Sequence, residues 1–127
     1  MKFGTWNVCI LQQCGKPELV AAALHHHNVD VACLQEVCFI DTGSEQVLAA
    51  GREDDAYQIY HSGCTNGQYG VGIAIKSHLV AAITDFNAVS DRICYVTISA
   101  HPSSITVISV YAPTNEHDLA IKQAFFD

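Results

Sequence analysis

Asn7 and Glu36 are the residues of this sequence with the clearest chemical potential. Asn7 lies toward the carboxyl end of a strand-forming segment that begins at Phe3. Glu36 ends the apolar run from Val29 to Gln35, in which Asp30 is the only charge. A carboxylate at the end of a buried strand must pair or bind a cation, because apolar surroundings do not tolerate an isolated charge. Glu36 together with an Asn amide oxygen is a hard, oxygen-only donor set. It suits Mg²⁺, or Mn²⁺, and leaves coordination positions for water and phosphate oxygens. The same carboxylate could instead simply cap backbone N–H groups at the strand end.

Both residues need a scaffold that delivers them to one place. Gly15-Lys16-Pro17-Glu18 reads as a turn into a helix with proline at its start, continuing through Leu19–Leu24 to about His27. Phe3 to Leu11, this helix, and Val29 to Glu36 then form a strand-helix-strand unit. Such a unit places its strands parallel in one sheet, with a right-handed connection. Asn7 and Glu36 emerge at the same sheet edge, where open α/β sheets bind ligands.

Beyond residue 36 the signal weakens into a polar loop through Asp41–Ser44, a short helix reaching Ala50, and acidic Glu53-Asp54-Asp55. The period then becomes two. Tyr57–His61, Gly70–Ile75, Val80–Phe86, Ile93–Ala100 and Ile105–Tyr111 read as strands of antiparallel hairpins separated by turn residues. Asn115-Glu116-His117-Asp118 opens a further helix, and the sequence stops at Asp127 within it. There is no repeat, low-complexity tract or linker.

Composition narrows the choices. The chain has 127 residues, is 50% hydrophobic and carries a formal net charge of −7, which excludes a disordered chain and allows at most one domain. Binding phosphate backbones by bulk electrostatics requires lysine and arginine in excess, so any nucleic-acid role must rest on a local site. No basic segment leads into an apolar stretch, and no 18-residue apolar window occurs. The expectation is an intracellular protein, nuclear or cytoplasmic, with no membrane partner. The six cysteines are then expected as reduced, buried thiols, since Cys9/Cys14 and Cys33/Cys38 lack the spacing of zinc ligands. His25-His26-His27 cannot converge on one ion from successive helical positions.

Taken in order, Thr5-Trp6-Asn7-Val8, Leu34-Gln35-Glu36-Val37, Gly70-Val71-Gly72-Ile73-Ala74-Ile75 and Val110-Tyr111-Ala112-Pro113-Thr114-Asn115 resemble the first half of the endonuclease/exonuclease/phosphatase superfamily. Tyr57–Gly63 and Ser90-Asp91-Arg92-Ile93-Cys94 look most like the endonuclease domains of non-LTR retrotransposons. The resemblance implies an α/β fold, the N-terminal portion of a four-layer α/β/β/α sandwich with mixed sheets. It also implies a Mg²⁺-dependent phosphodiesterase acting on nucleic acid, with DNA the first choice of substrate. Glu36 would be the principal metal ligand and Asn7 its neighbour. Tyr111 would offer its phenol to the scissile phosphate, and Asn115 would arrange that loop, or otherwise cap the last helix.

The family's downstream Asp-x-Asn and Asp-His elements have no equivalent in residues 1–127. Asp85-Phe86-Asn87 follows Thr84 rather than Gly and precedes Tyr111, so it is expected to be a strand end and turn. Ser90-Asp91-Arg92 has arginine where the base would stand. Arg92 could contact phosphate or pair with Asp91. These features lead to the expectation of a single incomplete domain, inactive by itself, whose half-sandwich exposes a sheet face to self-association. A non-catalytic remnant and a phosphatase of the same superfamily are the alternatives.

Overall fold

Strand β5 (Val71–Lys76) is buried on both faces, and its alternation sorts the core into two layers. Val71, Ile73 and Ile75 point one way and join Val31, Cys94, Val96 and Ile98. Ala74 points the other way and joins Val20, Leu24, Leu34, Tyr57 and Ile59. A strand that is apolar throughout has to be covered on both sides.

The computed structural model describes residues 1–9, 11, 15–39, 41–49, 52–63 and 70–112. Strands β1 (Phe3–Asn7), β2 (Val31–Gln35), β5, β4 (Arg52–His61) and β3 (Gly43–Ala49) form one sheet in the order β1-β2-β5-β4-β3. β1 and β2 are parallel, with Asn7 opposite Gln35, and the other neighbours are antiparallel. Strands β6 (Ile83–Ser90), β7 (Ile93–Ile98) and β8 (Ile105–Val110) make a second, antiparallel sheet. Helix α1 (Lys16–His26) buries Val20, Ala21 and Leu24 on the first sheet, and the inner faces of the two sheets cover each other. The layering is helix, mixed sheet, sheet.

The local chemistry of α1 is as expected. Gly15 enters it at φ 78, in the left-handed region open to glycine, and proline sits in the first turn. Its end closes with Val29 N–H donating to the Leu24 carbonyl at 2.9 Å, while Asn28 adopts φ 57.

Several expectations are corrected. The short helix before Ala50 is strand β3. Ser44, Glu45 and Gln46 are exposed on an edge strand, and Val47 and Ala49 supply its buried contacts. The acidic stretch 53–55 lies within β4. Val80 belongs to a 3₁₀ turn (Ser77–Ala82), and β6 begins only at Ile83. Asp85-Phe86-Asn87 therefore sits inside β6, with Asp85 opposite Thr97 and Asn87 opposite Tyr95, rather than at a strand end. The sheet face expected to be bare is covered. Among the exposed apolar side chains, Ile108 and Val110 lie on the outside of the second sheet, alternating with buried Ser109, while Phe3 and Trp6 are on edge strand β1.

Tyr57 ties the helix side of the core together. It is fully buried, and its hydroxyl donates to the Val29 carbonyl at the turn between α1 and β2. Burial, with Asp30 and Asp55 nearby, pushes its pKa up to about 12. Burial and the neighbouring Cys33 likewise push Cys94 up to about 12. Folding holds both groups neutral, so the stability they confer is complete below their unfolded pKa values and is lost as pH climbs through the folded ones. Urea midpoints should therefore fall between about pH 9 and pH 12, and Tyr57→Phe should flatten part of that fall, above about pH 10, while costing about 1–3 kcal/mol at neutral pH. A midpoint independent of pH across that window would contradict this.

Candidate functional site

The site is built from strand ends. Asn7 is the last residue of β1, and Glu36 immediately follows β2, whose Gln35 pairs with Asn7. The ladder continues one step further, with Val8 N–H donating to the Gln35 carbonyl at 3.0 Å. Both predicted residues thus reach the same edge. They also share a partner that the sequence reading did not use: the Cys9 thiol lies 3.2 Å from Asn7 Oδ1 and 3.8 Å from Glu36 Oε2. The Cys9 N–H also donates to Asn7 Oδ1 at 3.2 Å.

Cys9 (φ 48) and Glu36 (φ 58) are both left-handed, a conformation uncommon for residues with a side chain. Such backbone persists only where the surroundings enforce it. The Glu36 loop is held on its far side. Val37 N–H donates to the Gly70 carbonyl at 3.1 Å, the buried His61 ring stacks on Phe39 at 4.2 Å, and His61 Nδ1 lies 2.8 Å from the Asp41 carbonyl.

Tyr111 follows β8 on the second sheet. Ser109, fully buried, donates to the Leu34 carbonyl at 3.1 Å, while Cys33 Sγ lies 3.6 Å from the Ile108 carbonyl. Moving two residues on from Leu34 and from Ser109 gives Glu36 and Tyr111, so the contact between β2 and β8 brings both to one edge. A backbone rail spans the gap between the sheets. Gly70 accepts from Val37 and donates to the Asp91 carbonyl at 3.0 Å, and Tyr111 N–H donates to the Arg92 carbonyl at 2.9 Å.

Arg92 is buried. Its Nη1 donates to the Tyr111 carbonyl at 3.2 Å, and its guanidinium carbon stands 5.4 Å from the centroid of the Tyr111 ring. The segment set aside as a false catalytic motif therefore positions Tyr111. Arg92→Lys should cost about 1–2 kcal/mol, because an ammonium cannot reproduce both the guanidinium N–H to the Tyr111 carbonyl and the guanidinium placed against its ring. A denaturant midpoint equal to that of the parent chain would refute that role.

Asn115 lies outside the described residues. Asn7 and Glu36 provide oxygen donors suited to a hard divalent ion, whose remaining coordination positions would be left to water and phosphate. Among the described residues no group of three His, Cys, Asp or Glu side chains forms a fuller metal cage. The three consecutive histidines do not gather on one point: His25 Nε2 lies 3.5 Å from Asp55, while His26 meets His27 edge to face. Cys38 and Cys94 are buried as expected, but Cys9 is exposed. No described helix is long and apolar enough to cross a membrane.

The profile of the endonuclease/exonuclease/phosphatase family matches residues 4–125, nearly the whole sequence. The chain belongs to that family. Craniofacial development protein 2 of Bos taurus is 30% identical over 111 residues, and that of Tragulus javanicus is 28% identical. Each match covers 87% of this chain and 18% of the relative, so the chain spans less than a fifth of the curated relatives it resembles. Among solved structures, the AP endonuclease LMAP from Leishmania major superposes with a TM-score of 0.61 at 21% identity, over 91% of this chain and 41% of that one. The likeness establishes the fold of this family member as the mixed α/β arrangement of that enzyme.

Proposed function

We propose that this family member carries the metal-holding and phosphate-facing part of a Mg²⁺-dependent phosphodiesterase of the endonuclease type, acting on nucleic acid, with DNA the first choice. The observation that carries the reading is the convergence of Asn7 Oδ1 and Glu36 Oε2 on a single neighbouring atom, at the edge that also receives Tyr111.

In this arrangement the Glu36 carboxylate is the principal anchor for Mg²⁺, or Mn²⁺, and the Asn7 amide oxygen lies beside it. The ion, when bound, stabilises charge that builds on the phosphate and on the leaving oxygen. Tyr111 directs its phenol toward a non-bridging phosphate oxygen, and Arg92 fixes the Tyr111 backbone so that this direction is set before substrate arrives. Asn115, in the loop that follows, would help to order it. The family's general base belongs to elements absent from residues 1–127. Residues 1–127 match 41% of the solved relative, and we infer that this segment by itself holds metal but does not cleave.

A plasmid-nicking assay with Mg²⁺, run on this polypeptide and on Glu36→Ala, separates the possibilities. Background nicking by both, with Mn²⁺ binding only by the parent, is the expected result. Glu36-dependent nicking would overturn the proposed inactivity. Absence of Glu36-dependent metal binding would leave the alternative, a non-catalytic product that retains the fold alone. Hydrolysis of small phosphate monoesters in place of DNA would favour the phosphatase reading.

A further inference from the structure

We propose that His61 is a pH-operated clip: as an imidazolium it fastens edge strand β3 to the loop that carries Glu36, and as a neutral ring it lets that strand go. The device stands on the packing of this corner and not on the metal reading above. His61 closes β4 and is buried, with 3% exposure. Its cross-strand neighbours are Gly43 on β3 and Gly72 on β5, which leave room for the ring; a Cβ on Gly43 would stand 3.8 Å from its Cε1. Phe39 stacks on it at 4.2 Å, 22° from parallel.

The two ring nitrogens meet different partners. Nδ1 is 2.8 Å from the Asp41 carbonyl, and a carbonyl oxygen only accepts, so Nδ1 carries a proton in either charge state. In the neutral ring Nε2 is then a bare lone pair. That nitrogen is buried, has no hydrogen-bond partner, and faces Glu45 Oε1 at 3.6 Å. Two acceptors held face to face repel, whereas a second proton on Nε2 converts the same contact into an ion pair. The charges around the ring have one sign. Glu45 is the sole charge of β3, Asp41 the sole charge between Val37 and Thr42, and β5 brings only Lys76, at its other end opposite Tyr57. The charges of β4 itself, Arg52 to Asp55, lie at the start of that strand. Desolvation opposes the cation, so it is kept by these contacts and given up as pH rises.

Charged, the ring donates to Asp41 on one side and to Glu45 on the other, joining β4, the loop and β3. Neutral, it keeps the Asp41 bond alone, and the Glu45 side chain, 56% exposed, turns to water. β3 is the edge of its sheet and its register shifts at Leu48/Ala49, so the Gly43–Glu45 end gains most from the tie.

Two measurements on the 127-residue chain, at about pH 5.5 and about pH 8.5, test the clip. Nitrogen-15 NMR of the histidine rings, with His61→Gln to assign the signals, should show both ring protons on His61 at the lower pH and Nδ1–H alone at the higher. Hydrogen exchange read by mass spectrometry, corrected for the intrinsic effect of pH, should show the amides of Gly43–Gln46 roughly three- to tenfold better protected at the lower pH. Glu45→Gln, a change to an exposed side chain, should abolish that difference, as should His61→Gln. Equal protection at the two pH values in the parent, a difference that persists unchanged in Glu45→Gln, or a neutral His61 bearing its proton on Nε2 would each overturn the proposal.

Discussion

Glu36→Gln should reduce Mn²⁺ or Mg²⁺ affinity by at least about a hundredfold, since loss of a supporting partner alone typically costs 10–100-fold and Glu36 is proposed as a direct ligand. The substitution preserves shape and removes charge. Glu36 is half-buried at a strand end, and its loop is held by Val37, Phe39 and Asp41 rather than by its own carboxylate. Folding stability should therefore stay within about 0.5 kcal/mol of the parent, because an isosteric change at the carboxylate leaves the backbone and those contacts in place. Asn7→Asp offers the converse test. A second carboxylate strengthens cation binding and, without a cation, repels Glu36. Metal affinity should rise while metal-free stability falls, and added Mn²⁺ should recover that stability through linkage. Calorimetric titration and thermal melts of the two variants with and without metal measure both effects. Equal metal affinity in parent, Glu36→Gln and Asn7→Asp would remove the ion from this edge.

Gly72→Ala is expected to damage both fold and site. A Cβ at this position would come within 2.8 Å of the Tyr60 carbonyl oxygen, a backbone atom of the neighbouring β4 that cannot swing aside. It would also stand 3.4 Å from Val37 Cγ1 and 3.7 Å from His61 Cβ. The position thus requires glycine for close approach between strands, not for an unusual backbone angle. Relief means parting β4 from β5 or pushing Val37 outward, with an expected cost of about 1–3 kcal/mol. Val37 follows Glu36 directly, so the same displacement tilts the carboxylate away from Asn7. Denaturant unfolding should show the loss of stability, and Mn²⁺ affinity measured under folding conditions should drop as well. A variant with wild-type unfolding midpoint would show that the two strands are less tightly constrained than this contact implies.

The parallel pairing of β1 and β2, and hence the shared edge of Asn7 and Glu36, was legible because it follows from a local unit: an apolar strand, a helix with readable ends, another apolar strand. β3 was not legible for the opposite reason. Its polar run Ser44-Glu45-Gln46 lies on an edge strand, where tertiary pairing with β4 decides conformation and side chains give little indication of it. Asp85-Phe86-Asn87 misled in the same way, its polar ends being accommodated on exposed positions of an edge strand. The rail from Val37 through Gly70 and Asp91-Arg92 to Tyr111 could not be read at all. It uses backbone groups that every residue carries, brought together only when the two sheets pack. Cys9 was visible as a residue but not as a neighbour of Glu36, since its thiol reaches that carboxylate only through the left-handed turn that follows β1.

The rail also bears on local opening. Because Gly70 bonds to Val37 on one side and to Asp91 on the other, the loop carrying Glu36 cannot come away from the Asp91-Arg92 turn that holds Tyr111 by a small hinge motion. Release requires breaking contacts that belong to both sheets, so the amide protons of Val37, Gly70 and Tyr111 should exchange with deuterium together and slowly, as one cooperative unit and not as independent loops.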